Sequence, residues 1–252
     1  MGKGENSMKI KKPSLAFVCP AYGPIHSRVY KSHLAAIANA SRTFDVAYVG
    51  VTEKQYLHTA SNILVENALE HCIDYIFWTE ADMLLPFNTI ERLYQDIKRT
   101  DLEAVGGLYF LRGDGTQPCL YKKLPQNPPY NFTPVILVPE NELFRIDCCG
   151  FGGILLKTDI FRKMEYPWFD LKEGGYGQDI YFCEHAKRKG IRIGCDSSVL
   201  YGHLGEPEII DINCYNNWIA DTQRKTKGGI ILTAPQRCID RQDILKQEVS
   251  NG

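Results

Sequence analysis

Apolar and polar positions along the first hundred or so residues switch repeatedly between two periods. Leu15-Ala16-Phe17-Val18-Cys19 is a continuous apolar run closed by Pro20, the pattern of a strand buried on both faces. Residues 26–40 carry helical spacing and residues 44–51 a second strand; Leu57, Ala60, Leu64 and Ala68 mark one face of a helix across 55–72. Residues 74–79 make a third apolar strand. After Pro86, Asn88 and Glu91 stand at capping-box spacing, and Ile90, Leu93, Tyr94 and Ile97 form one apolar face before a strand at 103–109. Strands alternating with helices predict an α/β fold, a mostly parallel, doubly wound sheet with crossover helices. Residues 14–112 therefore read as a nucleotide-binding half.

The pattern then changes. Residues 113–142 are proline-rich, with short strand-like pieces and no helix signal. Strands at 142–148 and 153–157 flank the Gly150-Phe151-Gly152-Gly153 cluster, and a short helix follows from Asp159. A glycine-rich turn through Gly177 leads into a helix at Gln178-Asp179, which ends in Lys187-Arg188-Lys189-Gly190, basic residues and a glycine that stop a helix. A strand at 191–195 precedes Val199-Leu200-Tyr201-Gly202-His203. The expected organisation is a disordered leader (1–13), one domain (14–205) whose second half (113–205) carries a smaller mixed sheet, and a tail (206–252) with a short helix near 240–249. Lys225 and Lys227 beside Gly228-Gly229 suggest a phosphate-facing lid over a ligand.

Composition narrows the function. Apolar residues at 44% and charged residues at 23% describe an ordinary globular chain, and 29 basic against 30 acidic residues argue against general nucleic-acid binding. No apolar run reaches transmembrane length. Nine cysteines without ligand-like spacing predict buried free thiols in a reducing, cytoplasmic setting rather than a zinc site. There is no P-loop, and the glycine cluster fails the dinucleotide fingerprint in spacing and context.

Candidate chemistry starts at Thr79-Glu80-Ala81-Asp82. Residues two apart on a strand face the same way, so Glu80 and Asp82 can converge where the strand ends, the edge at which open α/β sheets bind ligands. Two hard oxygen ligands suit Mg²⁺ or Mn²⁺, with phosphate oxygens completing the shell; solvated turn carboxylates are the plain alternative. His203 can add a neutral imidazole, a donor that favours Mn²⁺, or serve only structurally. Asp179 is either a helix cap or a base on an acceptor hydroxyl, and capping would lower its pKa and weaken it as a base. Tyr22 can stack on a nucleobase and Asn62 can bond base or ribose, although both residue types are equally common as surface or capping residues. Gly152 and Gly153 admit either a close backbone approach to a sugar or a β-bulge, and Trp168 either a sugar platform or a core position.

Four stretches together resemble the GT-A fold glycosyltransferases across about residues 14–205. Phe17-Val18-Cys19-Pro20-Ala21-Tyr22 is similar to the opening strand and nucleotide loop, and residues 61–69 to the helix before the metal motif. Glu80-Ala81-Asp82 stands in place of the D-x-D motif. The Gly150–Gly153 cluster, Gln178-Asp179 and His203 are similar to the acceptor glycine motif, the E-D helix start and the late histidine ligand. The resemblance implies a metal-dependent transfer of a sugar from a nucleotide-diphosphate donor (UDP or GDP type) to a hydroxyl acceptor. It assigns Pro20, Ala21, Tyr22, Asn62, Glu80 and Ala81 to the donor; Gly152, Gly153 and Trp168 to the acceptor; Glu80, Asp82 and His203 to Mn²⁺ or Mg²⁺; and catalysis to Asp179. The chain departs from the pattern at Glu80 (usually Asp), Ser61 (often Arg) and Gln178 (usually Glu). Those departures leave a carbohydrate-binding protein on a degenerate fold as an alternative. A sugar nucleotidyltransferase is disfavoured by the uncharged loop Pro20-Ala21-Tyr22-Gly23-Pro24.

Overall fold

A computed structural model describes residues 11–112, 116–171, 177–205 and 209–225. The first half runs β1 (Ser14–Pro20), α1 (Ser27–Ala40), β2 (Asp45–Thr52), α2 (Leu57–Glu70), β3 (Tyr75–Thr79), β4 (Met83–Leu84), α3 (Thr89–Arg99) and β5 (Ala104–Leu108). The second half supplies β6 (Leu120–Lys122), β7 (Thr133–Pro134), β8 (Leu143–Ile146), β9 (Cys148–Cys149), β10 (Gly153–Lys157), α4 (Asp159–Lys163), α5 (Gln178–Arg188), β11 (Ile193–Leu200), β12 (Gly202–Leu204), β13 (Ile209–Ile210) and α6 (Ile212–Lys225).

Seven strands form the central sheet in the order β2-β1-β3-β10-β5-β11-β8. β1, β2, β3, β5 and β11 run one way, while β10 and the edge strand β8 run against them. The sheet is thus mostly parallel, as the alternation predicts, but β10 enters its centre reversed. The two halves of the chain share one sheet, because β10 lies between β3 and β5. Instead of a single smaller mixed sheet there are two antiparallel three-stranded sheets, β13-β12-β4 and β7-β6-β9.

Helices on both faces explain the unbroken apolar runs. Ala16 and Val18 of β1 pack in one layer with Leu64, Val65 and Ala68 of α2 and Phe182 and Ala186 of α5. Leu15, Phe17 and Cys19 alternate into the other layer with Ala36 and Ala40 of α1 and Ile90, Leu93 and Ile97 of α3. The expected capping box of α3 does not form: Asn88 makes no side-chain cap bond, and Glu91 accepts the Asn39 amide at 3.3 Å instead.

α6 was not expected from the sequence, but Ile212, Tyr215, Trp218 and Ile219 lie at helical spacing and pack on the core. Its buried member is Tyr215, whose ring stacks on Phe110 with centroids 4.8 Å apart and whose hydroxyl donates to the Ile136 carbonyl at 2.8 Å. The leader up to residue 10, the helix expected near 240–249 and the Lys227-Gly228-Gly229 part of the lid lie outside the described residues. Among those described, no helix is long and apolar enough to cross a membrane.

Candidate active site at the carboxyl edge of the sheet

β1, β3, β5 and β11 all end at one edge, and the reversed β10 begins there, with Gly153 paired to Thr79. This edge brings together Pro20-Ala21, Glu80-Ala81-Asp82, the segment 109–112, the glycine cluster and Tyr201-Gly202-His203. The small β4–β12 ladder sets the decisive register: His203 pairs with Met83, and Leu204 N–H donates to the Asp82 carbonyl at 2.8 Å. His33 Nε2 fixes the same ladder from α1, donating to the Met83 carbonyl at 3.0 Å. Burial lowers the His33 pKa to about 4, against weaker opposing effects from the Met83 carbonyl and Asp82, so this ring is neutral at pH 7.

Asp82 and His203 meet as that register requires. His203 Nδ1 donates to the Phe110 carbonyl at 2.8 Å, which leaves Nε2 facing Asp82 Oδ2 at 3.3 Å. Arg112 Nη2 reaches the same Oδ2 at 3.1 Å. Asp82 Oδ1 is buried and has no hydrogen-bond partner among the described residues. Burial raises the Asp82 pKa, but His203 and Arg112 outweigh it and hold the carboxyl below its ordinary value. For His203 burial lowers the pKa, and the hydrogen bonds to Asp82 and the Phe110 carbonyl outweigh that and raise it.

Glu80 stands apart from this couple. Its pKa is pushed up to about 7, first by burial and then by the Asp82 and Asp179 carboxylates. No group of three or more His, Cys, Asp or Glu side chains is arranged to hold a metal among the described residues, so Glu80 does not complete a triad with Asp82 and His203. Asp179 lies in the first turn of α5 behind the cap residue Gly177, and its Oδ1 accepts the Ile180 N–H at 2.9 Å. Burial and then Cys183 raise its pKa to about 6 against the lowering effect of backbone N–H groups, the reverse of the shift expected for a capping carboxylate. Three carboxylates from two chain segments therefore share one electrostatic environment.

Other expected site residues take structural roles. Asn62 is buried: its Oδ1 accepts the N–H groups of Trp168 and Phe169 at 3.1 and 3.2 Å, and its Nδ2 donates to the His58 and Phe169 carbonyls at 3.0 and 2.8 Å. It has no capacity left for a base or ribose. Trp168 is 8% exposed and packs on Phe161, with its indole N–H donating to the Phe161 carbonyl at 2.9 Å, so it offers no platform to a sugar. Ser61 is fully buried and donates to Gln178 at 2.5 Å, locking α2 to the start of α5.

The glycines make room for rings rather than for a ligand. A Cβ on Gly153 would stand 2.3 Å from Tyr201 Cε2, and one on Gly152 2.8 Å from Tyr109 Cζ. The sequence signals that side chains must be absent there but not that two buried tyrosines fill the space. Ala21 is buried, its N–H donating to the Thr52 carbonyl at 3.2 Å, whereas Tyr22 is 75% exposed beside it, free to meet a ligand at the β1–β2 end.

Beyond the lysines of the expected lid, two arginines with no expected role, Arg28 and Arg112, stand at this edge. A cavity of about 620 Å³ adjoining Asp82 is lined by Pro24, His26, Arg28, Ala81, Arg112, Leu204 and Gly205. One signal was available for Arg112: it lies three residues beyond the carboxyl end of the strand predicted at 103–109.

No protein-family model and no curated protein sequence matches this chain. Among solved structures it is similar to A197 from STIV, with a TM-score of 0.53 and 18% identity over 90% of this chain and 97% of that one. The likeness shows a shared mixed α/β fold over nearly the whole of both chains.

Proposed function

We propose that this chain is a metal-dependent glycosyltransferase of the GT-A type, moving a sugar from a nucleotide-diphosphate donor to a hydroxyl acceptor. One observation carries the proposal: Asp82 and His203, brought together by the β4–β12 ladder, leave the buried Asp82 Oδ1 unpaired and set an imidazole nitrogen of fixed tautomer against the other oxygen, Oδ2. Further support comes from the order of motifs along the sequence and from Asp179, whose charge acts on Glu80.

An oxygen and an imidazole donor fit Mn²⁺ better than Mg²⁺, and two protein ligands leave positions for diphosphate oxygens and water. Mn²⁺ held there would act as a Lewis acid that neutralises the leaving diphosphate. The chain's own groups do the rest. The Phe110 carbonyl holds the His203 tautomer, and His33 holds the backbone of Met83 behind Asp82. Asp179, with a pKa of about 6, is a carboxylate at neutral pH and basic enough to take the acceptor proton. As the acceptor oxygen bonds to the anomeric carbon, the bond to the phosphate oxygen breaks and its electron pair leaves with the diphosphate. A single displacement of this kind inverts the anomeric centre. Glu80, poised near pH 7, can donate or accept a hydrogen bond to ribose or sugar hydroxyls, and exposed Tyr22 offers its ring to the base.

The test is a panel of UDP- and GDP-sugars with Mn²⁺ or EDTA, scored for nucleoside diphosphate release by wild type and Asp82→Ala. Release that needs Mn²⁺ and Asp82 supports the proposal. No release, together with no Mn²⁺-dependent nucleotide binding, contradicts it and favours a binding protein on the same fold.

A further inference from the structure

Arg112 is in an unusual position for a site that must take a cation. Its guanidinium occupies Asp82 Oδ2 at 3.1 Å and reaches toward the Leu204 carbonyl at 3.4 Å. The same carboxylate is the proposed metal ligand, so a metal ion and Arg112 compete for one negative charge. The Arg112 side chain is 55% exposed, and ion pairs at a solvent-exposed rim are weak and readily exchanged. The adjoining cavity offers somewhere to go: Arg28, His26 and Arg112 line it against the single carboxylate of Asp82. Arg28 stands in the first turn of α1, which carries no acidic residue, so the helix N-terminus adds to the positive field. α2 contains no lysine or arginine, and its Ser61 is buried against Gln178.

We infer that Arg112 is a displaceable counter-ion of Asp82 which, when metal and donor arrive, transfers to the diphosphate and clamps it together with Arg28. This rests on the transferase proposal and adds the residues that select a diphosphate. The fork of a guanidinium matches phosphate oxygens bidentately, a geometry a lysine cannot supply. Before the donor arrives, the pair keeps a partly buried carboxylate neutralised. Afterwards the positive charge moves to the group that must leave.

The experiment uses the full chain with two probes, Mn²⁺ alone followed by electron paramagnetic resonance, and inorganic pyrophosphate at saturating Mn²⁺ followed by calorimetry. Thermal melts confirm that each variant is folded. Arg112→Ala should bind Mn²⁺ alone several-fold more tightly, having lost the competitor, and bind pyrophosphate about tenfold to a hundredfold more weakly. Arg28→Ala touches no metal ligand and should lose pyrophosphate affinity alone. Arg112→Lys, which keeps the charge without the fork, should fall between wild type and Arg112→Ala for pyrophosphate. Arginine variants that match wild type with both probes, while Asp82→Asn loses Mn²⁺, would overturn the clamp and leave the metal site standing. A wild type whose Mn²⁺ binding is absent or indifferent to Asp82 would overturn both.

Discussion

Asp96 offers a quantitative test of the packing between α3 and the central sheet. The side chain is buried, with Oδ1 accepting from Arg99 at 2.8 Å and Oδ2 lacking any hydrogen-bond partner among the described residues. Burial raises its pKa from 3.8 to about 6; the Arg99 hydrogen bond opposes the shift and the facing Asp196 carboxylate adds to it. In the unfolded chain Asp96 returns to the ordinary value, so between about pH 4 and 6 the native state binds a proton that the unfolded state has lost. Stability from this residue is therefore fully present below pH 4, declines as pH rises to 6, and stays reduced above it. A shift of roughly two units at about 1.4 kcal/mol each amounts to about 3 kcal/mol lost at pH 7. Asp96→Asn removes the ionisation and supplies an amide N–H that can donate to Asp196; the ion pair to the half-exposed Arg99 that it gives up is already contained in the shifted pKa. The net expectation is a variant about 3 kcal/mol more stable than wild type at pH 7, with that advantage gone at pH 4. Urea unfolding at pH 4, 5, 6 and 7 measures it. A difference between variant and wild type that does not change with pH would refute the reasoning.

Three further outcomes follow from the site and its supports. Gly153→Ala should destabilise the fold by about 1–3 kcal/mol, since the new Cβ would lie 2.3 Å from a buried tyrosine ring; an unchanged melting temperature would contradict the packing described. Asn62→Ala leaves the N–H groups of Trp168 and Phe169 without their acceptor and should cost about 2–4 kcal/mol in denaturant unfolding; nucleotide affinity in the folded fraction should be unchanged, and a selective loss would return Asn62 to the donor site. Asp179→Asn should lower the rate of transfer about 10²- to 10⁴-fold while sparing Mn²⁺ and nucleotide binding. Wild-type kcat should rise with pH through about 6 as this base loses its proton, and a flat profile there would remove the role.

The sheet was legible because its strands are buried on both faces and so appear as unbroken apolar runs, as at Leu15-Ala16-Phe17-Val18-Cys19. Strand direction was not: Gly153–Lys157 is a short apolar run whose reversal depends on the long excursion from β5 back to the centre of the sheet. The alternating period placed Glu80 and Asp82 at the sheet edge, but not which partner each would meet. His203 reaches Asp82 through a two-residue ladder too short to leave a pattern. Asn62 and Trp168 show the converse problem, since a polar or aromatic side chain has the same letter whether it binds a ligand or ties a loop to a helix. α6 went unpredicted although Ile212, Tyr215, Trp218 and Ile219 recur at helical spacing and pack against the core, because the polar residues between them lower the contrast of the pattern.

The most direct test of the central claim is anomalous diffraction from crystals grown with Mn²⁺ and a nucleoside diphosphate. The account predicts a manganese peak in coordinating contact with Asp82 and with His203 Nε2, about 2 Å from each, and diphosphate oxygens on its open side. A nucleotide bound at this edge with no metal between it and Asp82, or manganese held elsewhere, would contradict it.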